Sequence, residues 1–323
     1  MNSIKEKLLS VEFRTRAFIP TLIFSCLISI FLYWALLVGF QFMGQKKAVQ
    51  REIKPNLFAS IVVEAKSAFV WDAVNQRTLY EKNADLPRPL ASLTKVMTAV
   101  TASSMAPELR SVTIKLTDLS PEGDSKLKVA SIWDIKNLID YVLLVSSNDG
   151  AHALAASVGA WSIVNQDNLG AEIDRQKFIK KMNVLAGEIG LTGSTFRNEH
   201  GLDTRESQGG AYGSARDMAL LFEYAIKNYP HLLEATRYSG LAISDLQNDN
   251  YLAENTNEVI NFIPSPIASK TGYTELAGGN LVVAFDSGLG SPIIISVLGS
   301  SEKGRFKDVL TLVDTTMKYL QNE

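Results

Sequence analysis

The sequence predicts a mixed α/β domain whose antiparallel sheet is built from both ends of the domain and flanked by helices. Three observations support this prediction. Short β-like runs lie near residues 60–80 and 280–297, helical periodicity fills the interval between them, and one uncharged apolar segment precedes both. Strands at both ends favour one sheet with an inserted helical lobe. The apolar segment predicts one transmembrane helix before the domain.

The strand predictions depend on runs of β-branched and aromatic residues bounded by turn residues. The predicted strands are 61–63, 68–71, 78–80, 280–285 and 292–297. The last two are almost entirely apolar, which is typical of strands buried in the middle of a sheet.

The helix predictions depend on apolar residues that recur three and four positions apart. In the segment 132–143, for example, Ile135, Leu138 and Val142 share one face. A helical run begins at Ser92, and the other predicted helices are 132–143, 149–160, 173–189, 214–228 and 303–321.

The composition limits the classes of function. The chain has 323 residues, of which 46% are hydrophobic, and its formal net charge is −2. This length allows a large core, and the balanced charge gives no indication of a nucleic-acid partner. Cys26 is the only cysteine, so no intramolecular disulfide can form.

The apolar segment predicts an uncleaved signal anchor. Residues 17–45 carry no charge, and about 23 residues from Pro20 give a helix of roughly 35 Å, enough to span a ~30 Å hydrocarbon core. A lipoprotein cleavage site at Cys26 is the alternative. The predicted divisions are a cytoplasmic tail (1–16), a transmembrane anchor (17–43), a tether (44–56) and a catalytic domain (57–323).

The orientation of the anchor does not follow from charge. Four basic residues precede the segment and four follow it closely, so the positive-inside rule does not discriminate between the two orientations. An external catalytic domain on the cytoplasmic membrane is therefore an expectation that depends on the motifs in that domain.

Three motifs occur in the order S-x-x-K, S-x-N and K-T-G. They are Ser92-Leu93-Thr94-Lys95, Ser146-Ser147-Asn148 and Lys270-Thr271-Gly272. Alone, each is weak, because a serine at the start of a helix is most often an N-cap. Together they predict an acyl-transfer site without histidine, in which Ser92 is the nucleophile.

Lys95 is the predicted general base. Residues three apart share a helix face, so its amine can lie beside the Ser92 hydroxyl. A base must be neutral near pH 7, and the pKa of Lys95 must therefore fall from ~10.4 to roughly 7–8. Burial and a second cation lower a lysine pKa, and Lys270 is the obvious second cation. We therefore expect the first and third motifs to form one electrostatic unit.

The second motif follows the predicted helix 132–143. A helix break with an N-cap is one interpretation of these residues. In the functional interpretation, Ser146 passes a proton to the leaving amine. Asn148 holds a substrate amide and a lysine side chain, and Ser147 points away.

The third motif predicts a substrate strand. Lys270 and Thr271 would receive a carboxylate, and Gly272 would let a peptide lie close to an exposed strand edge. The N–H of Tyr273 would join the N–H of Ser92 in an oxyanion hole.

No metal or cofactor site is predicted. The three histidines, His152, His200 and His231, show no H-x-H or H-E-x-x-H spacing, and no serine lies in a G-x-S-x-G motif. These are the patterns that zinc peptidases and conventional triads require. We therefore expect isolated histidines that are packed or lie at the surface.

With these motifs, the chain resembles the low-molecular-mass penicillin-binding proteins, which are serine D-alanyl-D-alanine carboxypeptidases. The resemblance covers about residues 58–300. Its main segments are 74–85, 91–99, 190–203, 214–217, 270–274 and 277–283. It implies a β-lactamase/transpeptidase-like fold. The apolar anchor is N-terminal here, whereas many members carry a C-terminal amphipathic anchor.

The resemblance also implies an activity. A stem peptide ending in D-Ala-D-Ala would acylate Ser92, release its terminal D-alanine and then be hydrolysed, with Lys95 as base. The implied partners are peptidoglycan stem peptides and β-lactam antibiotics, which would trap the acyl-enzyme. The implied process is cell-wall biogenesis and remodelling.

Related functions use similar residues. A D,D-endopeptidase that cuts wall cross-links remains open. A β-lactamase is disfavoured, because the E-x-x-L-N loop of class A enzymes is absent between the second and third motifs. A non-catalytic penicillin-binding module is disfavoured, because the first motif keeps both Ser92 and Lys95.

Overall fold

The computed structural model describes residues 24–37, 57–106, 110–119, 126–161, 171–288 and 290–322. The chain divides into two units, Met1–Pro55 and Asn56–Glu323. In the first unit, residues 24–37 form helix α1. Within the described ranges, no helix combines the length and apolarity needed to cross a bilayer. The predicted tail, the tether and both ends of the predicted anchor lie outside the described residues.

The second unit contains the strands and the remaining helices. The strands are β1 Ser67–Asp72, β2 Arg77–Lys82, β3 Arg88–Pro89, β4 Ser111–Thr113, β5 Ile132–Asp134, β6 Thr195–Phe196, β7 Ala211–Gly213, β8 Gly240–Ser244, β9 Asn250–Glu254, β10 Pro266–Thr274, β11 Gly278–Asp286 and β12 Pro292–Ser300. The helices are α2 Thr94–Met105, α3 Ile135–Leu144, α4 Asn148–Trp161, α5 Ala171–Ile189, α6 Ala215–Asn228 and α7 Gly304–Gln321.

Five strands form the main antiparallel sheet in the order β10-β11-β12-β1-β2. The central pairing joins the two ends of the domain, since β1 runs antiparallel to β12 from Ser67↔Leu298 to Asp72↔Ile293. The helices of the chain between β2 and β10 form the helical lobe, as predicted. β10 is an edge strand of this sheet, and it packs against 3-10 turns at Ala91–Leu93 and Glu234–Arg237.

The main sheet separates two hydrophobic cores. Helix α6 and the helical lobe pack on one face, and α7 packs on the other. Successive residues of β12 enter opposite cores: Ile294 lies in the first, and Ile293 and Ile295 lie in the second. This alternation is the side-chain period of two expected of a strand. It produces the apolar run from which the strand was predicted.

Two sequence predictions about the elements are wrong. Residues 61–63 form no strand, because the chain just beyond them binds α7 instead: the backbone N–H groups of Glu64 and Ala65 each donate to the Asp308 carboxylate at 2.8 Å. The predicted helix 132–143 begins only at α3. Its first three residues form β5, which pairs with β4.

Candidate active site

The first motif places a serine hydroxyl beside a buried lysine amine. Ser92 lies in the 3-10 turn Ala91–Leu93, which leads directly into α2. Lys95 lies in the first turn of α2, and its Nζ donates to Ser92 Oγ at 2.8 Å. Because the Lys95 side chain is fully buried, bulk water does not compete for this hydrogen bond.

Ser92 is not a helix cap. The N-cap of α2 is Leu93, which makes no side-chain capping bond. Ala91 has a φ of 49°, a strained conformation for a residue with a Cβ. Two neighbours hold this turn. Thr94 Oγ1 donates to Ala91 O at 2.7 Å, and Gly201 packs so closely against the same carbonyl that a Cβ there would lie 1.9 Å from its oxygen. The N-cap interpretation is therefore wrong for Ser92.

Lys95 Nζ is held by three oxygen acceptors. Besides Ser92 Oγ, it donates to Asn148 Oδ1 at 2.7 Å and to His200 O at 2.8 Å. These acceptors come from three separate segments: the 3-10 turn, the first residue of α4 and the loop between β6 and β7. A neutral amine in this position would direct its lone pair to the serine proton, which is the geometry a general base needs.

The second motif occupies the turn between α3 and α4. Ser146 has a φ of 64°, and its Oγ accepts a hydrogen bond from Lys270 Nζ at 2.9 Å. Ser147 is buried, and its Oγ accepts from Gly150 N at 3.0 Å. This is the N-cap bond of α4. Capping therefore falls to Ser147, while Ser146 and Asn148 contact the two lysines.

Lys270 is buried on β10 and links the second and third motifs. Its Nζ donates to Ser146 Oγ and to Thr271 O, both at 2.9 Å. Burial lowers the pKa of Lys270 well below its usual value, and the positive charges of Lys95 and Arg305 lower it further. The two lysines are therefore electrostatically coupled, and the coupling lowers the pKa of Lys270.

Gly272 lies against the backbone of the nucleophile's turn. A Cβ at this position would lie 2.8 Å from Leu90 O and 3.1 Å from Ser92 N. The absent side chain lets β10 pack against the nucleophile's turn, a role that the sequence did not predict. Two residues that sequence reasoning missed hold this packing: Asn280 Nδ2 donates to Leu90 O at 3.1 Å, and Arg305 donates to Gly272 O at 2.9 Å.

The outer edge of β10 directs backbone groups away from the sheet. Ser269 N donates to Thr236 Oγ1 at 3.0 Å and not to β11. Backbone N–H groups alternate sides along a strand, so the N–H of Tyr273 points to the same side as that of Ser269. Thr271 Oγ1 lies 2.5 Å from Thr256 Oγ1. At Ser269 this edge is therefore already occupied, and only its part beyond Ser269 can accept an extended peptide as an additional strand.

Sequence reasoning missed a buried charged cluster behind the first motif. Glu199 is fully buried, and its Oε1 lies 2.9 Å from His152 Nδ1. Arg175 Nε lies 3.6 Å from Glu199 Oε2, and His200 Nε2 lies 3.8 Å from Oε1. The prediction of packed or surface histidines is confirmed, since His152 and His200 pack against Glu199 and His231 is exposed, but the carboxylate that joins the first two was not predicted. No local pattern could reveal residues that are brought together by separate helices.

These contacts bring seven of the eight predicted site residues together. The residues in contact are Ser92, Lys95, Ser146, Asn148, Lys270, Thr271 and Gly272. Tyr273 follows Gly272 on β10, and its side chain hydroxyl donates to Glu275. A serine hydroxyl lies beside a lysine amine, and a second lysine–serine pair lies next to them. This arrangement defines the class of serine acyl-transfer sites in which lysine occupies the place of a histidine base.

Comparisons with known proteins identify the family. Residues 54–302 match the D-alanyl-D-alanine carboxypeptidase family Peptidase_S11. The chain is 28% identical over 260 residues to D-alanyl-D-alanine carboxypeptidase DacF of Bacillus subtilis, covering 78% of this chain and 61% of DacF. It is 29% identical over 224 residues to D-alanyl-D-alanine endopeptidase of Haemophilus influenzae, covering 68% of this chain and 69% of that protein. The chain belongs to the Peptidase_S11 family.

Structural comparison gives the same result for the fold. Penicillin-binding protein D2 from Listeria monocytogenes, in its ampicillin-bound form, matches with a TM-score of 0.65 at 25% identity, covering 79% of this chain and 98% of that one. The predicted mixed α/β fold with an antiparallel sheet is confirmed. The chain spans about three fifths of the length of DacF of Bacillus subtilis and of DacC and DacA of Escherichia coli.

Proposed function

We propose that this chain is a serine D,D-peptidase that removes the terminal D-alanine from peptidoglycan stem peptides through an acyl-enzyme on Ser92. The observation that carries the proposal is the 2.8 Å hydrogen bond from the buried Lys95 Nζ to Ser92 Oγ. Membership of a D-alanyl-D-alanine carboxypeptidase family supports this choice of substrate. The reaction as proposed uses side chains and backbone groups of the chain and no cofactor.

Acylation begins at Ser92. Its Oγ attacks the carbonyl carbon of the penultimate D-alanine while Lys95 takes the hydroxyl proton. The carbonyl oxygen becomes an oxyanion, which the backbone N–H groups of Ser92 and Tyr273 stabilise. One such donor typically contributes about 10²–10³ in rate. The outward direction of the Tyr273 N–H on the edge strand supports this assignment.

The second and third motifs bind and release the leaving D-alanine. Lys270 and Thr271 receive its carboxylate. The oxyanion collapses and the C–N bond breaks as Ser146 passes its hydroxyl proton to the leaving amine. The proton that Lys95 took from Ser92 replaces it on Ser146, so Lys95 is neutral again. Because burial and nearby cations lower the pKa of Lys270, an arriving carboxylate favours the ammonium form and raises that pKa again. Asn148 holds the substrate amide and Lys95 Nζ. Water then hydrolyses the ester with Lys95 as the base.

Two further substrates have specific support. The Haemophilus influenzae relative is named a D-alanyl-D-alanine endopeptidase, so cleavage of wall cross-links by the same residues is the second candidate function. The Listeria monocytogenes protein is solved with bound ampicillin. We therefore propose that β-lactams acylate Ser92 and remain attached.

The proposed location is the outer side of the cytoplasmic membrane. Residues 17–43 would form a single-pass anchor, 1–16 a cytoplasmic tail, 44–56 a tether and 57–323 the external catalytic domain. The uncharged stretch from residue 17 to residue 45 supports the anchor. The extracytoplasmic position of a peptidoglycan substrate supports the orientation.

Product analysis with three compounds tests the proposed function. The full-length protein is incubated with a pentapeptide muropeptide, a cross-linked muropeptide dimer and a labelled penicillin in parallel. A carboxypeptidase releases D-alanine from the first, an endopeptidase converts the dimer to monomers, and penicillin leaves a covalent adduct detectable by intact mass. Failure of the wild type to release D-alanine, or an undiminished adduct on Ser92→Ala, would refute the proposal.

A further inference from the structure

Glu199 is a fully buried carboxylate that the proposed reaction does not use. His152 Nδ1 donates to its Oε1 at 2.9 Å, and Arg175 Nε lies 3.6 Å from its Oε2. Burial raises the pKa of Glu199, but the hydrogen bond from His152 and electrostatic interactions with His200 and Arg175 outweigh burial and bring the pKa below its usual value. The carboxylate is therefore ionised at neutral pH. Its Oε1 accepts a hydrogen bond, whereas Oε2 is buried with no hydrogen-bond partner among the described residues and lies only within ion-pair distance of Arg175.

Glu199 joins three helices. His152 lies in α4 four residues after Asn148, and residues four apart share a helix face. Arg175 lies in α5. From a third direction, Thr98 Oγ1 of α2 donates to the backbone carbonyl of Glu199 at 2.5 Å. Removing one partner of a buried ionic contact is strongly destabilising, so the positions of these segments relative to one another depend on Glu199.

The same segments carry two of the acceptors of Lys95 Nζ. Asn148 is the first residue of α4, and His200 follows Glu199 in the loop. Burial lowers the pKa of His200 to about 4, so its ring is neutral at pH 7. The ring Nδ1 accepts from Leu202 N at 3.1 Å. The loop therefore presents a fixed carbonyl oxygen to Lys95 and adds no cation beside it.

We propose that Glu199 is a positioning residue that fixes where Lys95 Nζ lies relative to Ser92 Oγ. Through its contact with His152, Glu199 holds α4 in place. Through the chain itself, it holds the backbone carbonyl of the next residue, His200, which accepts from Lys95 Nζ. Being fully buried, it acts through these groups and not on the substrate. The inference depends on the proposed function, because the step that Glu199 supports is the acylation of Ser92.

The test compares the full-length wild type with Glu199→Ala, Glu199→Gln and Glu223→Ala. Glu223 offers a matched control, since it is also buried and accepts hydrogen bonds from Trp71 Nε1 at 2.8 Å and Gln76 Nε2 at 2.6 Å, where α6 packs on β1. For each protein, three quantities are measured: the second-order rate of acylation by labelled penicillin, kcat and KM for D-alanine release, and the Tm.

We expect Glu199→Ala to lower the acylation rate and kcat about 100-fold, because a misplacement of ~1 Å at a reacting group costs that much. KM should change far less, staying within about threefold, since the carboxylate contacts of Lys270 and Thr271 lie on β10 and are unchanged, and of the substrate contacts only that of Asn148 shifts with α4. Glu199→Gln keeps an oxygen for the His152 N–H and should recover the rate to within about tenfold of wild type. Glu223→Ala should lower the Tm and leave both rates unchanged.

Equal acylation rates in folded Glu199→Ala and Glu223→Ala would overturn the inference, as would an effect confined to KM. If Glu199→Ala does not fold, His152→Ala takes its place, because it removes the same hydrogen bond from a partly exposed position. It should slow acylation about tenfold, and an unchanged rate would again overturn the inference. A wild type that forms no adduct and releases no D-alanine would instead refute the proposed function.

Discussion

Replacing Gly272 by alanine should displace the nucleophile without removing any catalytic group. The new Cβ would lie 2.8 Å from Leu90 O, 3.1 Å from Ser92 N and 3.2 Å from Leu93 N. All three are backbone atoms at the turn that carries the nucleophile, so no side chain can rotate away to relieve the contact. Ordinary contact begins at 3.4 Å, and the Leu90 carbonyl would therefore have to retreat by about 0.6 Å.

This displacement is large compared with what the reaction tolerates. A misplacement of ~1 Å costs about 10²-fold in rate, so roughly half that distance corresponds to about tenfold. Overpacking of this kind also costs ~1–3 kcal/mol of stability. We expect acylation of Gly272→Ala by labelled penicillin to be at least about tenfold slower than wild type, with a moderately lower Tm.

Gly187→Ala is the matched control. Gly187 lies in α5, and a Cβ there would have no atom within 4 Å. Alanine is favoured over glycine inside a helix by roughly 0.5–1 kcal/mol, so this variant should have a slightly higher Tm and an unchanged acylation rate. A folded Gly272→Ala that acylates as fast as Gly187→Ala would refute the reasoning that this backbone contact positions Ser92.

Two further predictions concern the other motifs. Burial and nearby cations lower the pKa of Lys270, so keeping its ammonium form in the native state costs stability. This cost is present at pH 7 and shrinks as the pH rises toward 10.5, the usual pKa of a lysine. Lys270→Met should therefore raise the Tm at pH 7, less so at pH 10, while abolishing D-alanine release; a pH-independent difference in Tm would contradict this account. Ser147→Ala should cost ~1 kcal/mol in urea denaturation with unchanged D-alanine release, whereas Ser146→Ala should lower kcat about 10²-fold. Equal losses of activity would show that the two serines do not have separate roles.

The accuracy of the element predictions followed the strength of the local pattern. β11 and β12 were predictable because central strands are apolar on both faces, and α7 was predictable because its apolar residues share one face. The failures came where a distant group determines the local conformation. The chain beyond residues 61–63 binds Asp308, and residues 132–134 pair with β4, so neither segment follows its own pattern.

The sequence by itself determined the identity of the site residues and the pairing of Ser92 with Lys95. That pairing is local, because a separation of three residues places both side chains on one helix face. Only the tertiary structure decided which serine caps α4, that Lys270 reaches Ser146 across 124 residues, and that Gly272 faces the nucleophile's turn. It also decided that Glu199 contacts both His152 and Arg175 behind Lys95. Burial and contacts between distant residues depend on the path of the whole chain, which no local spacing encodes.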